Sequence, residues 1–537
     1  MAKVMFESRY FERSRPEILA LVPKDARCVL DVGCGAGWLG KALKKNAAVE
    51  VHGIEIMERP ARRASQVLDK VWIGPVEEVV DELEPERYDC IVLADVLEHL
   101  RDPHGVLRKL AAKLSPLGTV VCSIPNVQNL EVLLNLWAGR WNYTSEGLLD
   151  RTHVRFFTRQ TVRELFWAAG LRMEKMETVK DERITQMFSN GLQKGPRRRL
   201  FFSDGCRDFS VWQFLVTGRR LEAAPSAGKT GFIIRTRDAA ESAVIMNKLF
   251  QGRRRVPEPA WLVPMPNTLP SLGELQALCG DVTDVDFIWV LDARATMGSD
   301  CLDAIQRISA LAPEIGVFVP GVYVDAEFQE LIGIGFRWCY SGLFFELVGR
   351  GDGAGQWPDP VCVDSALPHA LAIRGDVFKR VGGFDGKFQG KWQIHDFCIR
   401  AAHAGYLSAY VPDAKVWVPC DHAELLTETP EALYEEILGR LFWAERHGSR
   451  MEWFETLCQE AVRAFNALVP KFFWIAYEMD GWLKRMWWQM LTWRRSFDRN
   501  LSNPKKRARL KALKAYAMRR FPVGQSGRHS AKASLNP

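Results

Sequence analysis

The chain has 537 residues, too many for a single hydrophobic core, and ~100–200 residues per domain predicts two or three domains. Apolar residues at 47% and charged residues at 26% fit ordinary soluble globular domains. The net charge of +7 is mild and unevenly placed: between Lys484 and Arg520 bases crowd around one acid, Asp498, so the basicity belongs to a tail rather than to a nucleic-acid-binding fold.

The opening MAKVMFESRYFERSR is charged and lacks the apolar stretch of a signal peptide, and no run of ~18 uncharged apolar residues occurs. A cytoplasmic location is expected. The 12 cysteines are scattered without a CxxC pair, and Cys28, Cys90 and Cys122 lie in or beside apolar strand-like runs. They read as buried thiols of a reducing compartment, not as a disulfide or zinc framework.

From Cys28 to Cys122, short β-branched runs alternate with helical patterns. CVLDVG, VEVHGIE, VWIG, YDCIVLAD and GTVVCSIP are the expected strands, which predicts βαβ units and a doubly wound parallel α/β sheet. VWQFLVTGRR reads as a last strand, and LEAAPSAGKT as a linker that closes a domain over residues 1–222. A second α/β block over 231–422 contains GFIIRTRD, AWLVPMPN and FIWVLDARAT. From residue 423 the pattern is helical and Trp-rich, ending in a polar segment.

The run Val29-Leu30-Asp31-Val32-Gly33-Cys34-Gly35-Ala36-Gly37 is a strand, a glycine turn and the start of a helix. Glycines let the backbone turn tightly and approach a ligand, with a helix N-terminus facing it. Dinucleotide enzymes share such turns. Two features favour S-adenosylmethionine: the spacing is GxGxG, and Asp31 precedes the turn, where a carboxylate suits an ammonium group and would repel a pyrophosphate. The second strand ends at Glu55, placed to accept hydrogen bonds from both ribose hydroxyls; the alternative is a plain surface acid. The fourth strand ends in Ala94 and Asp95, which should line the methionine part of the pocket.

VLDVGCGAG, VHGIE, YDCIVLADVLEHLRDP, GTVVCSIPNV and LLDRTHVRFFTRQTVRELFWAAG together resemble class I methyltransferases of the ubiquinone-type O-methyltransferase group. The likeness extends to versions fused to glycosyltransferase domains in bacterial surface-polysaccharide loci. It implies that Arg15 meets the cofactor carboxylate and that Gly33, Glu55 and Ala94 contact the cofactor. After the third strand the family usually has Gly-Asp, the Asp binding the adenine amine; here Pro75 follows Gly74, leaving adenine to backbone groups or Glu77.

Methyl transfer to a hydroxyl needs an aligned acceptor and a base that titrates near neutrality. His99, after the fourth strand, and His153, in LLDRTHVRFF, are the candidates, with His153 slightly ahead. Their plainer readings are that His99 packs its helix and His153 orders its loop by bonding Asp150. Trp137, Trp141 and Tyr143 with Arg140 form either a platform for a sugar face or a core stripe.

The second block resembles a family-2 glycosyltransferase of the nucleotide-sugar-binding (GT-A) type in FIWVLDARATMGSDCLDAI and ALAIRGDVFKRVGGFDGKFQGKWQIHDFCIRAAHAGYLSAYVPDAKVWVPCDH. Three acids characterise that family. Here the second strand ends in VPMPN, the metal motif reads Asp292-Ala293-Arg294, and the base motif reads Gln393-Ile394 with Asp396 further along. No metal is expected; Asp292 and Asp396 are remnants of such a site. A folded but inactive acceptor-binding domain is favoured over a metal-independent transferase in which Arg294 neutralises a diphosphate. In the tail, Met479, Trp482, Leu483, Met486, Trp487 and Met490 recur at helical spacing with Lys484 and Arg485, which suits an interfacial helix on an anionic membrane, or a helix packed on the second domain.

The expected function is S-adenosylmethionine-dependent O-methylation of a sugar in a cell-surface glycan or its lipid-linked precursor, on the inner face of the cytoplasmic membrane. The alternatives are an active bifunctional methyl- and glycosyltransferase, which would also take a nucleotide sugar, and a membrane-associated scaffold for glycan enzymes.

Overall fold

The computed structural model describes residues 15–46, 48–187, 208–221, 228–236, 261–265, 269–279, 282, 285–324, 326–339, 344–419 and 430–447, with 508, 512 and 515. The linker after 221 and the Trp-rich helix expected over residues 479–490 lie outside them. The chain divides into two compact units. Residues up to Ala227 with Leu302–Ile315 and Trp357–Cys362 form the first, and the remainder forms the second.

The first unit is built on β1 (Cys28–Val32), β2 (Glu50–Glu55), β3 (Lys70–Ile73), β4 (Tyr88–Ala94), β5 (Leu114–Pro125), β6 (Leu171–Lys180) and β7 (Val211–Arg220), in the order β3-β2-β1-β4-β5-β7-β6. Strands β1 to β5 are parallel, and β7 runs antiparallel to both β5 and β6. All five residues of β1 are buried, as a strand covered on both faces requires. Because side chains alternate, Leu30 and Val32 join Ile91 and Leu93 in one core while Val29 joins Cys90 and Val92 in another. The strands expected from sequence are present with shifted ends. The addition is β6, whose polar residues follow from its place at the sheet edge.

The second unit carries a nine-stranded sheet. Its strands are β8 (Thr230–Arg235), β9 (Trp261–Met265), β10 (Phe287–Asp292), β11 (Thr296–Met297), β12 (Ile315–Tyr323), β13 (Leu331–Gly333), β16 (Val361–Val363), β17 (Ala370–Arg374) and β18 (Leu407–Trp417), while β14 (Gly335–Cys339) and β15 (Phe344–Val348) form a separate hairpin. Strands β9, β8 and β10 are parallel and β17 is antiparallel to β10, so the sheet is mixed. The described cysteines are free thiols. Among the described residues no helix is long and apolar enough to cross a membrane.

Candidate active site

The chain winds outward from β1 through β2 to β3 and then returns to place β4 on the other side of β1. That reversal opens a crevice beyond the carboxyl ends of β1 and β4, where doubly wound sheets bind ligands. The glycine turn enters it directly: Gly33, Gly35 and Gly37 have φ of +72°, +53° and +80°, a region that favours glycine. A Cβ on Gly33 would stand 2.9 Å from Val96 Cγ2, and one on Gly37 3.2 Å from Ala64 Cα.

Glu55 is 5% exposed, which excludes the surface-acid reading. One carboxylate oxygen accepts from the Gly35 amide at 2.8 Å and the other from the Met57 amide at 2.9 Å, so it braces the turn from inside the crevice. Asp31 is 3% exposed, and burial, together with the charge of Glu55, pushes its carboxyl up to about 7.

Asp95, directly after Ala94 at the end of β4, adopts a left-handed backbone (φ +57°) that a non-glycine residue keeps only when its surroundings enforce it. The enforcing contacts come from far along the chain. Ser123 Oγ donates to Asp95 Oδ1 at 2.7 Å and accepts from the Asp95 amide at 3.0 Å. Arg15 Nη1 donates to Oδ2 at 2.5 Å, its Nη2 reaches Ser123 Oγ at 3.1 Å, and Gln213 Nε2 donates to Oδ1. Arg15 is thus held beside Asp95. Ser123 and Gln213 escaped the sequence reading because nothing local marks them. Glu77 is exposed in the turn of helix Val76–Val79 after Pro75.

His99 and His153 come together edge to face, their ring centroids 4.8 Å apart. His99 Nδ1 lies 3.2 Å from the Thr152 carbonyl and His153 Nδ1 3.1 Å from the Leu148 carbonyl. A carbonyl only accepts, so each Nδ1 is the donor to its carbonyl. Burial, followed by the charge His99 carries when protonated, holds the His153 imidazole below its ordinary value, which favours the neutral form with a lone pair on Nε2. His153 does bond Asp150, but through the backbone: its amide donates to the Asp150 carbonyl at 3.0 Å, while Asp150 Oδ1 accepts from Thr152, through its amide at 2.8 Å and its hydroxyl at 2.7 Å.

Beneath the two rings lies Glu98, unanticipated from sequence. It is fully buried, neither side-chain oxygen has a hydrogen-bond partner, and burial, then the charge of Asp95, pushes its carboxyl well up. His153 Nε2 stands 3.9 Å from Glu98 Oε1, and donor atoms of Glu98, His99 and His153 all fall within 4.8 Å of one another, close enough to share a cation. Trp137 is 90% exposed and Tyr143 53% exposed, so these two are not core; Trp141 packs edge-on against Phe156 at 5.4 Å.

In the second unit, Arg294 donates to Asp292 Oδ1 through its Nε at 3.1 Å and its amide at 2.9 Å. Although burial opposes it, this pairing holds the Asp292 carboxyl below the usual range. Asp396 is fully buried and its oxygens meet Arg400 Nε at 2.8 Å, His447 Nε2 at 2.8 Å and Arg446 at 3.3 Å. Gln393 clamps the backbone of Leu269, accepting from its amide at 2.9 Å and donating to its carbonyl at 3.1 Å.

A family model described as a methyltransferase domain matches residues 6–176. A ubiquinone biosynthesis O-methyltransferase of Bordetella avium is 31% identical over 178 residues, 30% of this chain and 69% of that protein. The chain belongs to the class I S-adenosylmethionine-dependent methyltransferases. A namesake from Aeromonas salmonicida is 26% identical, covering 30% of this chain and 70% of its own. Among solved structures, a SAM-dependent methyltransferase from Archaeoglobus fulgidus is similar at 20% identity and a TM-score of 0.31, covering 41% of this chain and 99% of that one. This methyltransferase uses S-adenosylmethionine as cofactor and is an O-methyltransferase. The crevice suits that cofactor: the glycine turn leaves its floor free of side chains, Glu55 offers a carboxylate, and the buried Asp31 lacks only a cation to hold its charge.

Proposed function

We propose that His153 is the general base that takes the acceptor's hydroxyl proton on Nε2, with His99 beside it, and that the acceptor is a sugar of a cell-surface glycan or its lipid-linked precursor. The observation that carries the base assignment is the facing pair of imidazoles, each with Nδ1 tied to a backbone carbonyl, of which burial shifts His153 toward the neutral form that can take a proton on Nε2. S-adenosylmethionine supplies a methyl group on a positively charged sulfur. Arg15 meets its carboxylate, Asp31 its ammonium and Glu55 its ribose, while Gly33, Gly35, Gly37, Ala94 and Asp95 line the crevice. Exposed Trp137 and Tyr143, near Arg140 in sequence, supply aromatic faces of the kind sugars stack on, which supports the glycan reading.

The test offers labelled cofactor with lipid-linked oligosaccharide and, because the relatives carry names from ubiquinone biosynthesis, with a ubiquinone precursor. Label in the glycan is expected, and label only in the ubiquinone precursor rejects the glycan. His153→Ala should slow transfer by ~10²–10⁴ at neutral pH while cofactor affinity holds. Normal turnover in that variant, with loss in His99→Ala, moves the role to His99.

A second reading rests on the unpartnered oxygens of Glu98: a divalent cation held by Glu98, His99 and His153 would grip the acceptor oxygen and ease its deprotonation. Loss of activity with a chelator, restored by magnesium or zinc, selects it. For the second unit we propose a GT-A-like fold that holds acceptor glycan without metal-dependent transfer. The basic tail would keep the protein on the inner face of the cytoplasmic membrane.

A further inference from the structure

At the amino-terminal ends of β1 and β2, opposite the cofactor crevice, stands a second group of potential ligands. Cys28 opens β1 and is register partner to Glu50, which opens β2; His52 is two residues along β2 and so on the same face as Glu50. The Cys28 thiol, a Glu50 carboxylate oxygen and a His52 ring nitrogen lie within 4.8 Å of one another. We propose that these three side chains bind a zinc-class cation that ties β1 to β2.

Thiolate, imidazole and carboxylate together are the donor set of zinc rather than of magnesium or calcium. Their spacing fits one ion. His52 Nε2 and Glu50 Oε1 are hydrogen-bonded at 2.9 Å, and parting them by about half an ångström would give the ~3.4 Å separation of two ligands bonded at ~2.0–2.2 Å to a tetrahedral centre. The surroundings hold the ligands by their far atoms. Tyr88 Oη lies 3.1 Å from His52 Nδ1, leaving Nε2 to turn to the ion, and Arg87 Nη2 donates to Glu50 Oε2 at 2.6 Å, leaving Oε1. Asp89 accepts from the Cys28 amide at 3.1 Å and fixes the strand end that carries the sulfur.

An ordinary His–Glu ion pair would account for two of these donors, but it does not require a buried thiol on the same side. Cys28 and His52 are buried, whereas the Glu50 side chain is 40% exposed and gives the ion its way in, with water in the fourth position. On binding, the thiol proton leaves to solvent as the sulfur–zinc bond forms. The role is structural, because the site lies at the other end of β1 from the glycine turn.

The test uses the full chain, stripped with chelator and titrated with cobalt(II). One cobalt with a thiolate-to-metal charge-transfer band is expected, displaced by zinc and absent in Cys28→Ser, which should still bind S-adenosylmethionine. Cobalt at Glu98, His99 and His153 would show no such band, because no sulfur is among those donors. Zinc should raise the melting temperature of the wild type and not of Cys28→Ser. If Cys28→Ser does not fold, Glu50→Gln takes its place and should weaken cobalt binding at least ~10-fold. A wild type without the band, a band that survives in Cys28→Ser, or unchanged affinity in Glu50→Gln overturns the proposal.

Discussion

Asp31 and Glu55 sit in one crevice under opposite demands. Glu55 is stabilised by two backbone amides, while Asp31 is buried beside it and pushed up to about 7 from an ordinary value of 3.8. Between those values the folded protein binds more protons at Asp31 than the unfolded chain, so stability without cofactor falls as pH rises through that window, on the order of a few kcal/mol in all. Asp31→Asn removes the penalty. It should melt higher than wild type at pH 8, with a difference that shrinks toward pH 5, yet bind S-adenosylmethionine roughly tenfold more weakly because the ammonium loses its counter-charge. Paired melts at the two pH values and a calorimetric titration check both halves, and a variant that melts lower at pH 8 refutes the account. Glu55→Ala should also weaken cofactor binding, by roughly 1.5–3 kcal/mol for each charge-assisted bond lost; unchanged affinity would take Glu55 out of the site. Both acids were legible in sequence because each stands at a strand end in register with the glycine turn. The Arg15–Asp95–Ser123–Gln213 network was only half legible. Asp95 is bonded to Ser123 28 positions away and to Gln213 118 positions away, and no local pattern encodes such partners.

At the scale of elements, runs that are buried on both faces declared themselves. Strands β1 and β4 read as apolar segments interrupted by one acid each, Asp31 and Asp89, and the glycine turn and Glu55 set their order around the crevice. Strand β6 did not, because Leu171–Lys180 carries charges at positions an edge strand shows to solvent. The segment from Leu148 to Phe157 explains why two histidines were visible and their geometry was not. Its backbone carbonyls, from Leu148 and Thr152, set the two tautomers, and a loop's carbonyl directions follow from its fold rather than from its composition. The glycine turn offers a sharper check on an element. Gly37→Ala must hold φ near +80° with its Cβ 3.2 Å from Ala64 Cα, which should cost about 1–3 kcal/mol and lower the melting temperature. An unchanged melting temperature would show that the turn relaxes at little cost.

The first unit holds Asp31, Glu55 and Asp95 around a crevice, whereas in the second unit Asp292 and Asp396 are already paired with bases. Metal-dependent sugar transfer needs carboxylates free to hold a divalent cation against a diphosphate, and a base for the acceptor hydroxyl. Asp292 is engaged by Arg294, whose charge also repels a cation from the place where a second carboxylate would stand. Asp396 is enclosed by Arg400, Arg446 and His447, and withdrawing it to serve as a base would break its pair with the largely buried Arg400, a change that costs ~3–5 kcal/mol when one partner of a buried pair is lost. Gln393 cannot accept a proton at neutral pH, and both ends of its amide are spent on Leu269. The full chain incubated with nucleotide sugars and manganese should therefore give neither transfer nor hydrolysis above background, and Asp292→Ala should change nothing. Asp396→Asn, in contrast, should lower the melting temperature, because its role lies in the packing of the helix Lys391–His403 against Pro430–His447. Manganese-dependent release of nucleoside diphosphate that disappears in Asp292→Ala would establish a bifunctional enzyme instead, with Arg294 swinging away from Asp292 when the metal arrives.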